Sequence, residues 1–269
     1  MNKNAEEVLL KLGYSKEDAE NILNNESLVS FKGDTLVVRI KINFECLIAL
    51  GYSKEDVLKM TKQFPSLYGL SIENIKKKIG DLMSLGYSKE DVLKMTKLLP
   101  SLYNLSIENI KKKIEDLILL GYTKEDVLKM TRLLPSLYSI SIENIKQKIE
   151  NLISLGYSKE DALKMTKLLP TLYGLSIENI KKKIIFYKQN NLDFIVVDDT
   201  KNLMQSIDLT YARFMFFKEK NIEISQDNYS RLFYNAKQFE KQYGIDKSTL
   251  LEKYNYQEYI NSKSIRNVI

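Results

Sequence analysis

Apolar residues recur along most of this chain with helical spacing. In the stretch that follows Ser53, the side chains Val57, Leu58, Met60, Thr61 and Phe64 gather on one side at about 100° per residue, with Lys59 opposite. Ser53 offers an N-cap oxygen, and Glu55 and Asp56 favour the positive end of a helix dipole, so the pattern predicts a helix starting at Lys54. Pro65 stops it, because proline cannot continue a helix interior and disfavours helical backbone at the residue before it. Proline is welcome at the first position of a new helix, and Pro65-Ser66-Leu67-Tyr68 therefore predicts a short 3₁₀ turn. Ser71 then caps a longer helix whose buried stripe is Ile72, Ile75, Ile79, Leu82 and Met83. Gly86 suits its left-handed C-terminal cap.

The same pattern returns every 35 residues. Glycines at Gly51, Gly86, Gly121 and Gly156 and prolines at Pro65, Pro100, Pro135 and Pro170 keep the same period. Such self-similarity predicts an all-α helical-repeat solenoid of stacked units, each of two α-helices and a 3₁₀ turn, since one helix pair cannot bury its apolar face alone. Residues 12–23 match the start of a unit that lacks the proline. Leu36 to Ile42 alternates as a strand does, but counting back from Gly51 places Ile40, Phe44, Leu47 and Ile48 where Ile75, Ile79, Leu82 and Met83 fall, and predicts a helix over Thr35–Leu50. After Pro170 the pattern loosens, and Ile185 and Phe186 replace the polar Glu115-Asp116, which predicts a different kind of neighbour there. Asn202–Lys220 reads as a divergent fifth repeat. Ser225 is placed to cap a helix over Gln226–Tyr243, and a last helix follows over Lys247–Tyr254, with fraying beyond Tyr259. The expected organisation is an N-terminal capping repeat at 1–50, four regular repeats at 51–190, and a divergent repeat with a C-terminal cap at 191–269.

Composition narrows the chemistry. There is no histidine, and Cys46 is the single cysteine, so the commonest general base and a cysteine metal cluster are both missing. Glycine-rich phosphate loops and a nucleophile elbow are absent too. No enzyme, cofactor, metal site or catalytic residue is expected. No apolar run reaches the roughly 20 residues of a membrane helix, and the N-terminus lacks the pattern of a secretory or transit peptide. A soluble, monomeric, cytoplasmic protein is the expectation.

Charge changes the picture more. The four repeats at 51–190 hold 24 Lys/Arg against 16 Asp/Glu, a net +8, while the chain as a whole carries +6. A basic array suggests a polyanionic partner. Lys59, Lys94, Lys129 and Lys164 lie four residues after a glutamate, as do Lys77, Lys112 and Lys182, and these read as helical ion pairs. Lys62, Lys97, Arg132 and Lys167 have no acidic residue at that spacing. A column of such cations on stacked helices would self-repel without an anion along it, so these four are the candidate nucleic-acid contacts, with an ordinary solvated face as the other reading. The tyrosine columns, Tyr52, Tyr87, Tyr122 and Tyr157 with Tyr68, Tyr103, Tyr138 and Tyr173, invite a base-stacking role. Their places at inter-helix corners favour packing instead.

A helix, a Pro-x-Leu turn and a Leu/Ile-striped second helix, carried by Pro65-Ser66-Leu67, Pro100-Ser101-Leu102, Pro135-Ser136-Leu137 and Pro170-Thr171-Leu172 with a Ser-Ile-Glu start after each, resemble the repeat of the mitochondrial transcription termination factor (mTERF) family. The resemblance spans about residues 10–220. It implies a left-handed superhelix of three-helix units that binds double-stranded DNA or RNA along a basic groove. Arginine is scarce here, with only Arg132 in the regular repeats, and the repeat surfaces are nearly identical. Guanine readout favours arginine, and a one-repeat-per-base reader must vary its contacts, so binding to DNA or RNA should be backbone-directed and sequence-tolerant. A protein-binding or scaffolding solenoid with no nucleic-acid role is the alternative.

Overall fold

The computed structural model describes residues 2–31 and 33–262. Contacts divide the chain into two compact units, Met1–Ile142 and Glu143–Ile269. Among the described residues all regular structure is helical, and no helix is long and apolar enough to cross a membrane. In the first unit, α1 (Lys3–Leu12), α2 (Lys16–Leu23), α3 (Glu26–Val29) and α4 (Asp34–Leu50) precede the regular repeats. The first repeat is α5 (Lys54–Gln63), a 3₁₀ turn at Pro65–Gly69, and α6 (Ile72–Leu85). The second is α7 (Lys89–Leu98), the turn Pro100–Asn104, and α8 (Ile107–Leu120), and the third opens with α9 (Lys124–Leu133) and the turn Pro135–Ser139. Its second helix, α10 (Ile142–Ser154), leads into the second unit. There α11 (Lys159–Leu168), the turn Pro170–Gly174 and α12 (Ile177–Gln189) complete the last regular repeat. A divergent copy follows in the same order: α13 (Phe194–Asp198), the turn Thr200–Met204 and α14 (Ile207–Glu219). The turn Tyr229–Phe233 and the helices α15 (Ala236–Tyr243), α16 (Lys247–Lys253) and α17 (Tyr256–Ser262) end the described chain. This is an all-α helical-repeat solenoid.

Local chemistry sets the punctuation as the sequence predicts. At α5, α7 and α9 the N-cap Ser53, Ser88 or Thr123 accepts from the backbone N–H of the aspartate three residues on, and that carboxylate accepts in return from the cap's own N–H. The capping glycines Gly51, Gly86 and Gly121 have φ of 116°, 116° and 118°, a region L side chains rarely enter. Gly86 has a second reason to be glycine, since a Cβ there would stand 3.1 Å from Leu128 Cδ1 on α9. In the first unit α7 packs on α9 and α6 on α8. Val57, Met60, Leu67, Ile75 and Leu82 of the first repeat are wholly buried, each stabilising by up to about 2–3 kcal/mol.

Five expectations need adjustment or are decided. The alternating stretch at Leu36–Ile42 is helical, within α4, and buries Leu36, Ile40, Phe44 and Leu47. Met83 and Ile48 are not in the stripe but at its rim, 44% and 39% exposed, because the eighth residue after Ile75 stands about 80° round the helix. The helix expected over Gln226–Tyr243 is a 3₁₀ turn followed by the shorter α15, capped by Asn235. The Leu232 carbonyl in that turn accepts from Arg213 Nη1 at 2.7 Å. Helix α17 runs to Ser262, past the fraying expected from Tyr259, and residues beyond 262 lie outside the described chain. The neighbour expected at Phe186 is present, as its ring is 2% exposed and packs on Tyr211, Phe214 and Tyr256 at 5.6–6.4 Å between centroids.

Candidate nucleic-acid interface

The capping-box aspartates do more than begin helices. Asp56 Oδ2, which accepts from the Ser53 N–H at 3.1 Å, also lies 3.3 Å from Lys97 Nζ on the next repeat. Asp18 in α2 holds Lys62 at 2.7 Å, and Asp91 stands 3.1 Å from Arg132 Nε, though without the alignment of a hydrogen bond. The Lys62 ammonium and the Ser15 hydroxyl hold the Asp18 carboxyl below its usual range. At Asp56 burial pushes the carboxyl up, and the Ser53 N–H, Lys97 and the Ser53 hydroxyl outweigh it, so the net direction is again downward. Three of the four cations without a partner in their own helix are therefore paired to an aspartate one repeat back, and Lys167 is not free either. The anion that relieves the self-repulsion of the column is supplied by the protein itself. These pairs are partly exposed, at 36–44% on the cations and 24–30% on the aspartates, and a pair near the surface contributes only about 0–1 kcal/mol.

The helical pairs read from spacing fare unevenly. Lys129 and Glu125 meet at 2.8 Å. Lys77, Lys112 and Lys182 do not reach Glu73, Glu108 and Glu178 among the described contacts; a spacing of four residues permits an ion pair without requiring one. The second-helix lysines Lys76, Lys77, Lys111 and Lys112 are exposed, yet Glu73 and Asp81 on α6 and Glu108, Glu115 and Asp116 on α8 share those helices, so the charge there is mixed.

A further lysine column, not singled out by the sequence, is structural. Lys78 donates to the Leu105 carbonyl, Lys113 to Ile140 at 2.5 Å, and, within the second unit, Lys148 to Leu175 at 2.5 Å. Each satisfies the carbonyl that follows a 3₁₀ turn in the next repeat. Asn43 takes the same register in α4 and donates to Leu67, Tyr68 and Leu70 carbonyls at 2.9–3.2 Å. Burial lowers the Lys78 and Lys148 ammonium pKa values. The signal was a lysine repeated in phase at 78, 113 and 148, kept even where its neighbour at 147 is glutamine.

The tyrosines are not stacking platforms. In the regular repeats all eight are 0–8% exposed. Tyr87 Oη is 2.5 Å from both Thr131 Oγ1 and Tyr138 Oη, and Tyr52 stands likewise 2.5 Å from Thr96 and 2.8 Å from Tyr103. Proton direction follows from one end. Thr131 donates to the Val127 carbonyl at 2.7 Å, so it must accept from Tyr87, and Tyr87 in turn accepts from Tyr138. Each chain of hydroxyls ties one repeat to the next and ends on a helix carbonyl.

Several large apolar side chains are exposed among the described residues, and three of them recur in register. Leu98 and Leu133, the last residues of α7 and α9, are each 63% exposed, and Leu168 ends α11 at 52%. Lys97 and Arg132 immediately precede the first two, and Lys94 and Lys129 lie one turn before them.

The sequence model of the mTERF family matches residues 1–154 and 82–240. The chain belongs to the mTERF family. The two matches overlap, as expected where one repeat type is tiled along a chain, and they include every regular repeat. No curated protein matches the chain. The mTERF match accounts for the Pro-x-Leu turns and the helix order, and the contacts above show what this member builds into them: aspartate–cation pairs, lysine–carbonyl bonds and hydroxyl chains between successive repeats.

Proposed function

We propose that this mTERF protein is a non-catalytic, monomeric, cytoplasmic binder of nucleic-acid backbones, contacting phosphates through Lys62, Lys97, Arg132 and Lys167. The observation that carries the proposal is the set of cations at the junctions between first helices in the first unit, Lys62, Lys97 and Arg132, each 36–44% exposed and held by a half-buried aspartate. A phosphate can take the place of such an aspartate at small cost, because the pair it breaks is weak and the charge-assisted bond it forms is of the same kind. mTERF proteins generally bind nucleic acid, which supports the same conclusion. Burial of the repeat tyrosines removes the aromatic platform that single-strand binders use, and favours a duplex held by its backbone. Near-identical repeats supply no variation with which to read bases.

Electrophoretic shifts with DNA and RNA duplexes of unrelated sequence, and with single strands, test the proposal. Similar affinities across duplex sequences and weaker binding of single strands are expected. Failure to shift any of them would favour a protein-binding solenoid.

A further inference from the structure

Nothing in the fold requires leucine at the ends of α7 and α9. The first regular repeat carries Gln63 at the same position, at the end of α5, and Gln63 is exposed there. Leu98 and Leu133 are nonetheless among the most exposed large apolar residues of the chain, at 63% each. Their nearest charged residues in sequence are cations: Lys94 and Lys97 for one, Lys129 and Arg132 for the other. Each leucine follows two cations of its own helix, one and four residues before it, and a nucleic-acid backbone has both an anionic and an apolar side. Its phosphates suit the cations, and its sugar rings and base edges present carbon to a neighbouring apolar side chain.

We infer that Leu98 and Leu133 are contact residues of the nucleic-acid interface, packing on sugar and base edges of a duplex whose phosphates meet Lys97 and Arg132. The assignment rests on the nucleic-acid reading above. Leu168, beside Lys167, repeats the pair in the second unit. The leucines supply a part of the affinity that salt does not screen, because apolar burial involves no counterion release. The cations supply the part that salt does screen.

The two contributions separate in a salt titration of the full chain against a mixed-sequence DNA duplex. Leu98→Gln with Leu133→Gln, the residue the protein itself uses at position 63, should weaken binding about tenfold at every salt concentration and leave the log–log slope unchanged. Lys97→Gln with Arg132→Gln should flatten that slope by about two, at about 0.9 per phosphate. Gln63→Leu extends the column and should tighten binding several-fold at constant slope, which keeps the test informative if the leucine variant is less well folded. Parental affinity in both the leucine-loss and the leucine-gain variants would overturn the inference and leave nucleic-acid binding standing, and the leucines would then belong to a protein contact. A changed slope in the leucine variants would also overturn it. A parent chain that binds no duplex would overturn the nucleic-acid reading itself, and the inference with it.

Discussion

Replacing Tyr87 with phenylalanine tests the hydroxyl chain at its middle. Tyr87, Thr131 and Tyr138 are 3%, 0% and 7% exposed, so no water replaces a lost partner. Because protons run from Tyr138 to Tyr87, to Thr131 and on to the Val127 carbonyl, Tyr87→Phe strands the Tyr138 O–H as a buried donor and takes the donor away from Thr131. A buried unsatisfied donor costs about 1–3 kcal/mol and a lost bond about 1 kcal/mol, so a loss of about 2–3 kcal/mol is expected. Tyr138→Phe removes the end of the chain and strands no donor, and should cost about 1 kcal/mol. The double variant should cost no more than Tyr87→Phe alone, since removing the Tyr138 hydroxyl also removes the stranded donor. Urea unfolding followed by far-ultraviolet circular dichroism gives all three values, and Tyr52→Phe against Tyr103→Phe repeats the test in the preceding pair of repeats. Equal costs for Tyr87→Phe and Tyr138→Phe, or additive costs in the double variant, would refute the proton order.

Burial raises the phenol pKa values of Tyr52, Tyr68, Tyr87, Tyr103 and Tyr138. Unfolded tyrosine ionises near 10, so the stability they contribute is complete below about pH 10 and falls above it by up to about 1.4 kcal/mol per pH unit for each group; thermal midpoints measured from pH 8 to 11.5 should drop steeply only past 10. Gly86→Ala should lower stability by about 2 kcal/mol, through the left-handed backbone at φ 116° and the approach of Leu128 at 3.1 Å, whereas Gly80→Ala, in open space on α6, should raise it by about 0.5–1 kcal/mol; equal effects in denaturant titrations would contradict both. Removing residues 191–269 strips the rings of Tyr211, Phe214 and Tyr256 from Phe186, and size-exclusion chromatography should show association of the remaining fragment.

Local signals were the most legible. Ser53, Pro65, Ser71 and Gly86 act through backbone groups within four residues, so their effects are visible in the sequence around them, and the helices they bound are where the spacing puts them. Cation partners were not legible for the opposite reason. Lys97 meets Asp56, 41 residues away, only because stacking places the start of one first helix beside the end of the next, and no spacing rule within a helix contains that contact. Thr61, Thr96 and Thr131 did leave a trace, as polar residues recurring on an otherwise apolar face, and a buried hydroxyl repeated in phase calls for a partner. The tyrosine hydroxyls were that partner. Leu98 and Leu133 share the register of Gln63, outside the stripe of Val57, Leu58, Met60, Thr61 and Phe64, so their place off the core face was legible in the sequence.

The most direct test of the central claim is the salt dependence of binding by the parent chain to a mixed-sequence duplex. With about four phosphates neutralised by Lys62, Lys97, Arg132 and Lys167, log affinity against log salt should be linear with a slope of about −3 to −4, and nearly the same for unrelated sequences. No binding at low salt, or binding whose strength does not change with salt, would contradict it.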